Sequence, residues 1–155
     1  MPFSLTVTPE WNVIYRIKNE IKNDPLIQKQ GQDFMDATML TAIELCENAL
    51  KYSDTEGQNV IQFALEIKAD QLEIQVSNIC ADVLRLETLT STIQQIRNGD
   101  PLELYIKRLE VLKDNPDGFS RMGLFRIGYE AEYRLAASIH ESQVMVQATR
   151  KLEKV

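Results

Sequence analysis

Residues 41–53 read TAIELCENALKYS, and their periodicity predicts a helix with its polar groups on one side. At about 100° per residue, Glu44, Asn48 and Lys51 fall within one narrow arc, while the apolar residues turn elsewhere. These three side chains can hold a hydrated Mg²⁺ and phosphate oxygens, because Mg²⁺ usually binds few protein oxygens together with water and substrate phosphate. They also suit an ordinary solvated helix face. Taken alone, the residues favour the solvated face, since most charged stripes lie on the surface.

The pattern E-x-x-x-N-A-x-K-Y-S, from Glu44 to Ser53, resembles the asparagine box of the GHKL ATPase superfamily. This superfamily includes histidine kinases, anti-sigma-factor serine kinases and gyrase-type ATPases. The resemblance implies that Asn48 ligates the Mg²⁺ of bound ATP, that Glu44 is the catalytic general base, and that Lys51 lies near phosphate. Its cofactor would therefore be ATP with Mg²⁺.

Length and charge limit the remaining possibilities. The chain has 155 residues, of which 44% are apolar, and no shift in composition divides it, so we expect a single domain over residues 1–155. The formal net charge is −6, from 23 acidic and 17 basic residues, and no Lys/Arg cluster is present. A nucleic-acid partner is therefore not expected, because binding to a phosphate backbone needs such a cluster.

The sequence also argues against a membrane protein and against a metal site of the usual His/Cys kind. The N-terminal residues lack the pattern of a signal peptide, and no run approaches the 18 or so apolar residues that a membrane span requires. We therefore expect a cytoplasmic protein with no membrane contact. Cys46, Cys80 and the single His140 have no metal-binding spacing, so both cysteines are expected to be buried thiols and His140 to be exposed.

Hydrophobic periodicity predicts the order of elements. A strand at residues 3–7 precedes a helix with an apolar stripe at Trp11, Ile14, Ile17 and Ile21, which residues 23–25 end. The box helix spans about 33–53, and alternating residues at 61–67 and 72–76 predict a β-hairpin. A last helix spans about 122–133, before strands at 135–139 and 144–149.

Between the hairpin and the last helix, residues 79–121 form a helical insertion. Two apolar stripes mark its helices: Leu86, Leu89, Ile93 and Ile96, then Leu102, Tyr105, Leu109 and Leu112. We expect these stripes to be packed within the protein, and the insertion to be ordered. The whole order predicts an α+β fold, a two-layer α/β sandwich with helices on one face of a mainly antiparallel sheet. It is similar to the histidine-kinase-like ATPase fold, in which the insertion occupies the position of the ATP lid.

Two further nucleotide motifs of that superfamily are degenerate here. Where an aspartate receives the adenine amino group and glycines follow, this chain has SNICA at residues 77–81, so the resemblance assigns Asn78 to adenine. An asparagine oxygen accepts a hydrogen bond but lacks the charge that strengthens it, and Asn78 also suits a plain strand end. Of the glycine motif at the end of the lid, only Gly123 and Leu124 match. Arg126 suits either a phosphate contact or an exposed surface.

Three functions fit these patterns. The preferred one is a regulatory signalling module of the GHKL fold, with weakened or lost ATP binding, that acts by protein-protein interaction of the partner-switching type. The alternative is an active ATP-dependent serine/threonine protein kinase of the anti-sigma-factor type. The third is the sensor half of a histidine-kinase system that works with a separate phosphoacceptor protein. A protein partner is expected in the preferred case, and homo-oligomers are left open.

Overall fold

A computed structural model describes residues 3–7, 11–52, 61–114 and 122–153. Six helices and five strands follow one another in these ranges. They are β1 (Phe3–Val7), α1 (Trp11–Asn23), α2 (Pro25–Gln30), α3 (Gln32–Tyr52), β2 (Ile61–Lys68), β3 (Gln71–Ile79), α4 (Val83–Asn98), α5 (Pro101–Asp114), α6 (Met122–Tyr129), β4 (Arg134–His140) and β5 (Gln143–Lys151).

The strands form one antiparallel sheet in the order β1-β2-β3-β5-β4. Alternate residues of β2, β3 and β5 are buried, so one face of the sheet is covered and the other is polar. Helix α3 packs on β2 and β3, and α4 packs on β4. The expected fold class, a two-layer α/β sandwich, is confirmed.

The stop expected at residues 23–25 is followed at once by a new helix, which periodicity did not predict. Asp24 caps α2, since its Oδ1 accepts hydrogen bonds from the amides of Leu26 and Ile27 at 2.9 and 3.2 Å. Pro25 occupies the first helical position, where its missing N–H costs nothing. Gly31 then ends α2 with a φ of 101°, a conformation that favours glycine. The same Asp-Pro pair therefore ends one helix and begins the next.

The helical insertion is ordered over its described part, but its two helices are packed differently. On α4, Leu89, Ile93 and Ile96 are buried, as the sequence predicted. On α5, Leu102 and Leu109 are 47% and 46% exposed, so the prediction that they are packed within the protein was wrong. Tyr105 packs inward as predicted, together with Leu104, which the predicted stripe did not include. The side chains of Trp11 and Leu112 lie outside the described part of the structure.

The last helix, α6, ends at Tyr129, four residues earlier than the sequence indicated. The amides of Glu130 and Ala131 both donate to the carbonyl of Arg126, and Glu132 turns the chain with a φ of 57°. This turn carries Tyr133 into the core, where its hydroxyl lies 2.7 Å from Thr38 Oγ1 on α3. Burial raises the pKa of the Tyr133 hydroxyl. The hydrogen bond joins the start of β4 to the box helix.

Candidate functional site

The candidate site lies where α3 meets α6. The core face of α3 carries Ala42, Leu45 and Cys46, all buried, and this leaves Glu44 on the side toward α6. Gly123 faces the Glu44 carboxylate so closely that a Cβ on residue 123 would overlap Oε2 and lie 2.9 Å from Cδ. Glycine is therefore required at residue 123 for Glu44 to keep this position. The structure brings together these two predicted residues.

Arg126 lies one turn after Gly123 and also faces Glu44. Its Nη1 is 3.4 Å from Glu44 Oε1, and its Nε donates to Glu130 Oε2 at 2.9 Å. The hydrogen bond to Glu130 and the charges of Glu130 and Glu44 raise the pKa of the Arg126 guanidinium, against a smaller opposing effect of burial. The hydroxyl of Tyr105, on α5, donates to the other oxygen of Glu130 at 3.1 Å. Three helices thus meet in one polar cluster, defined by Glu44, Tyr105, Arg126 and Glu130.

Asn48 follows Glu44 by one turn on α3 and is half-buried. Its position agrees with the common arc predicted from spacing. The Lys51 side chain lies outside the described part of the structure, and so do the residues of the turn before α6. The expected line of Glu44, Asn48 and Lys51 is therefore described for its first two members.

Asn78 occupies the core side of β3, in alternation with Leu72, Ile74 and Val76. Only 4% of its surface is exposed, and its Nδ2 has no hydrogen-bond partner within the described ranges. A buried amide without a partner costs about 1–3 kcal/mol, so natural cores rarely keep one. Leu124, the last predicted site residue, has a buried side chain in the same hydrophobic core.

These observations decide how well the residues fit Mg²⁺-ATP. The Nδ2 of Asn78, a donor without a partner within the described ranges, fits a ligand that offers an acceptor. The start of α6 does not fit a phosphate cradle: the Glu44 carboxylate already lies against Gly123, at the end of the helix where the dipole favours an anion. Within the described ranges, Asn78 thus offers one unpartnered donor, and the Glu44 carboxylate occupies the helix end at Gly123.

The polar cluster continues into a groove between α3 and α6 that the sequence did not predict. Its volume is about 540 Å³, and its lining includes Asp36, Leu40, Arg126, Glu130 and Arg150. The spacing of Arg126 and Glu130, four residues apart on a helix, was a visible signal for an ion pair. The contact of Arg126 with Glu44 was not visible, because 82 residues separate the two.

Two kinds of feature are absent from the described ranges. No three His, Cys, Asp or Glu side chains there are grouped as a metal site would require. Within the same ranges, none of the helices has both the length and the apolar character needed to span a membrane.

No family model matches this sequence, and no curated protein sequence matches it. Among solved structures, the crystal structure of the SiaB-SiaC complex from Pseudomonas aeruginosa contains a chain with a similar fold. The TM-score is 0.68 at 17% sequence identity, and the match covers 95% of this chain and 88% of that chain. At this identity the likeness extends to the fold, and it covers the sheet and helices almost completely.

Proposed function

We propose that this chain is a regulatory signalling module of the GHKL type, with weakened or lost ATP binding, that acts in the cytoplasm by partner-switching protein-protein interaction. The observation that carries the proposal is the contact of Glu44 with Gly123 and Arg126. The resemblance makes Glu44 a general base and places phosphate at the start of α6. The carboxylate of Glu44 beside Gly123 supports weakened phosphate binding at this helix end.

Electrostatics supports this interpretation. A bound triphosphate would bring several negative charges to a helix end that already holds the carboxylate of Glu44. The side chain of Glu44 is only 19% exposed there. Like charges at close range repel strongly where water is partly excluded. Arg126 does not offset this repulsion fully, because its positive charge is already paired with two carboxylates, those of Glu44 and Glu130. Phosphate binding therefore requires the polar cluster to rearrange.

The partner in this proposal rests on two separate supports. The similar solved chain comes from a complex of two proteins, SiaB and SiaC. In the present chain, α5 presents Leu102, Ile106 and Leu109 on its outer side, each 46–47% exposed. These residues follow the i, i+4, i+7 spacing of an apolar helix stripe, and such a stripe suits the surface of another protein.

An ATP-dependent serine/threonine protein kinase is the second candidate, and the orphaned Nδ2 of Asn78 favours it. Adenine offers a ring-nitrogen acceptor beside its amino group, so an asparagine carboxamide can pair with both. In that case Asn78 would select adenine, Asn48 would hold Mg²⁺, and Glu44 would act as base after leaving Arg126.

Calorimetric titration with Mg²⁺-ATP, Mg²⁺-ADP and Mg²⁺-GTP separates the two functions. The regulatory module should bind all three weakly or not at all, with little discrimination between ATP and GTP. One missing charge-assisted hydrogen bond alone weakens binding by about one to two orders of magnitude. Asn48→Ala should abolish any binding, while the matched control Asn98→Ala, at the exposed end of α4, should leave it unchanged.

The variant Asn78→Leu sharpens the choice. If Asn78 has no ligand, replacing its carboxamide, whose Nδ2 has no partner within the described ranges, by an apolar group of similar size should change stability little. Tight, adenine-selective binding that Asn78→Leu removes would overturn the regulatory proposal in favour of the kinase.

The proposed interaction surface needs its own test. A photo-crosslinking amino acid at Ile106 should yield a discrete protein adduct in cells, whereas the same group at the exposed Lys18 of α1 should not. The two adduct patterns would be identical, or both absent, if the α5 stripe had no partner.

A further inference from the structure

We propose that Arg126 is a latch on Glu44, and that the insertion helix α5 sets this latch through Tyr105. The inference deepens the proposed function, because it gives a partner on the insertion a physical route to the candidate site. Four side chains from three helices carry it, through three successive contacts. These contacts join Tyr105 to Glu130, Glu130 to Arg126, and Arg126 to Glu44.

The first link fixes Glu130 from the side of the insertion. Tyr105 donates to Oε1 at 3.1 Å while Arg126 Nε donates to Oε2 at 2.9 Å, so the two oxygens have separate partners. The ring of Tyr105 lies against the ring of Tyr129 on α6, with centroids 4.8 Å apart. This ring contact positions the hydroxyl and leaves it available for the hydrogen bond to Glu130.

The second link orients the guanidinium. Because an arginine presents its donors in a rigid planar fork, fixing Nε on Glu130 also fixes the direction of Nη1. Nη1 then reaches Glu44 at 3.4 Å. If Glu130 loses Tyr105, its carboxylate keeps only the contact with Arg126, and the two side chains can turn together away from the direction that reaches Glu44. The Tyr105 hydroxyl therefore acts on Glu44 through two intermediates.

The third element is the close contact between Glu44 and Gly123. With no side chain on residue 123, Glu44 lies directly on the backbone of α6. While the latch is closed, the carboxylate faces Arg126 and this backbone. Any partner that draws α5 away from α6 separates Tyr105 from Glu130 and opens the latch, which leaves Glu44 able to meet another group.

Amide hydrogen exchange of α6 in the free protein tests the latch without nucleotide or partner. Tyr105→Phe keeps the ring contact and removes only the hydroxyl, and it should speed exchange of the α6 amides about two- to fivefold, as loss of a partly exposed charged contact would. Arg126→Met should have a similar effect. Since both act through one chain of contacts, the double variant should exchange no faster than Arg126→Met alone.

Two matched controls and one conservative variant complete the test. Tyr15→Phe changes an exposed tyrosine of α1, and Arg85→Met changes an exposed arginine paired with Asp82 at 3.7 Å; neither should affect α6. Arg126→Lys keeps the charge without the fork, so it should lie between wild type and Arg126→Met. Simple addition of the Tyr105 and Arg126 effects, or a Tyr105→Phe protein that matches Tyr15→Phe, would overturn the latch. Either result leaves the nucleotide titration unaffected, so the two proposals fail separately.

Discussion

The two helices of the insertion, α4 and α5, differ in where their apolar residues lie. On α4, Leu89, Ile93 and Ile96 are buried between β4 and α6. On α5, Leu102, Ile106 and Leu109 are half-exposed, and the contact with α6 includes a tyrosine, Tyr105, that also joins the polar cluster. One helix completes the core, and the other covers its edge and leaves an apolar stripe outside. Similar sequence patterns therefore give a buried helix, α4, and a half-exposed helix, α5, to which we assign the proposed interaction surface.

The largest expected effect comes from emptying a core position on α4. Ile93→Ala should lower the free energy of unfolding by about 2–5 kcal/mol, since the site is 2% exposed and cannot fully collapse. Leu109→Ala on α5 should cost about 1 kcal/mol or less, because nearly half of that side chain is already in water. Urea unfolding of both variants measures the difference. Equal losses would mean that α5 belongs to the core after all.

A smaller effect tests how α4 fits against α6. A Cβ on Gly128 would lie 2.8 Å from Cγ2 of the buried Ile96, a branched side chain with little rotamer freedom, so Gly128→Ala should destabilise by about 1–3 kcal/mol. In Gly123→Ala the new methyl group contacts only the movable end of the Glu44 side chain. The stability of the protein should therefore change by about 1 kcal/mol at most, while Glu44 is displaced from Arg126. Thermal unfolding of the two variants measures the difference. A greater loss of stability for Gly123→Ala than for Gly128→Ala would contradict the close packing of α4 against α6.

The smallest effect compares the two helix caps. Asp82 Oδ1 accepts from the amides of Leu84 and Arg85, and Asp100 Oδ1 accepts from the amide of Glu103. Either aspartate changed to alanine should cost about 0.5–2 kcal/mol locally. For Asp82→Ala this loss should appear in global unfolding, because α4 is part of the core. For Asp100→Ala it should appear as faster amide exchange confined to α5. Exchange that spreads to α4 in the Asp100 variant would show that the two helices unfold together.

The sequence predicted the fold well because its elements alternate with a clear period. The strands at 61–68 and 71–79 and the box helix were located within a few residues. Periodicity did not distinguish α5 from α4, since the burial of Leu102 and Leu109 depends on which neighbours the fold supplies. Helix α2 was missed because Pro25 was read only as a stop and not also as a first helical residue. The expected exposure of His140 and burial of both cysteines were confirmed.

The candidate site was predictable only in part, for a physical reason. Spacing within α3 placed Glu44 and Asn48 on one side, as any helix must. The resemblance selected Gly123, which does contact Glu44. Arg126 and Gly123, which lie against Glu44, come from α6, and contacts between distant elements leave no local periodicity to read. The Nδ2 of Asn78, which has no partner among the described residues, was likewise unpredictable without knowing what surrounds it.

The two cysteines have a practical consequence for spectroscopy. Cys46 and Cys80 are both inaccessible, and burial, assisted by the charge of Glu47, raises the pKa of the Cys46 thiol to about 12. Only the thiolate reacts with alkylating dyes, and at pH 8 a thiol with that pKa is ionised to roughly one part in ten thousand. A cysteine introduced at Leu109 would therefore take a fluorophore almost alone, with the native thiols left in place. Such a single label on α5 would test optically whether a partner separates α5 from α6, as the latch proposal requires.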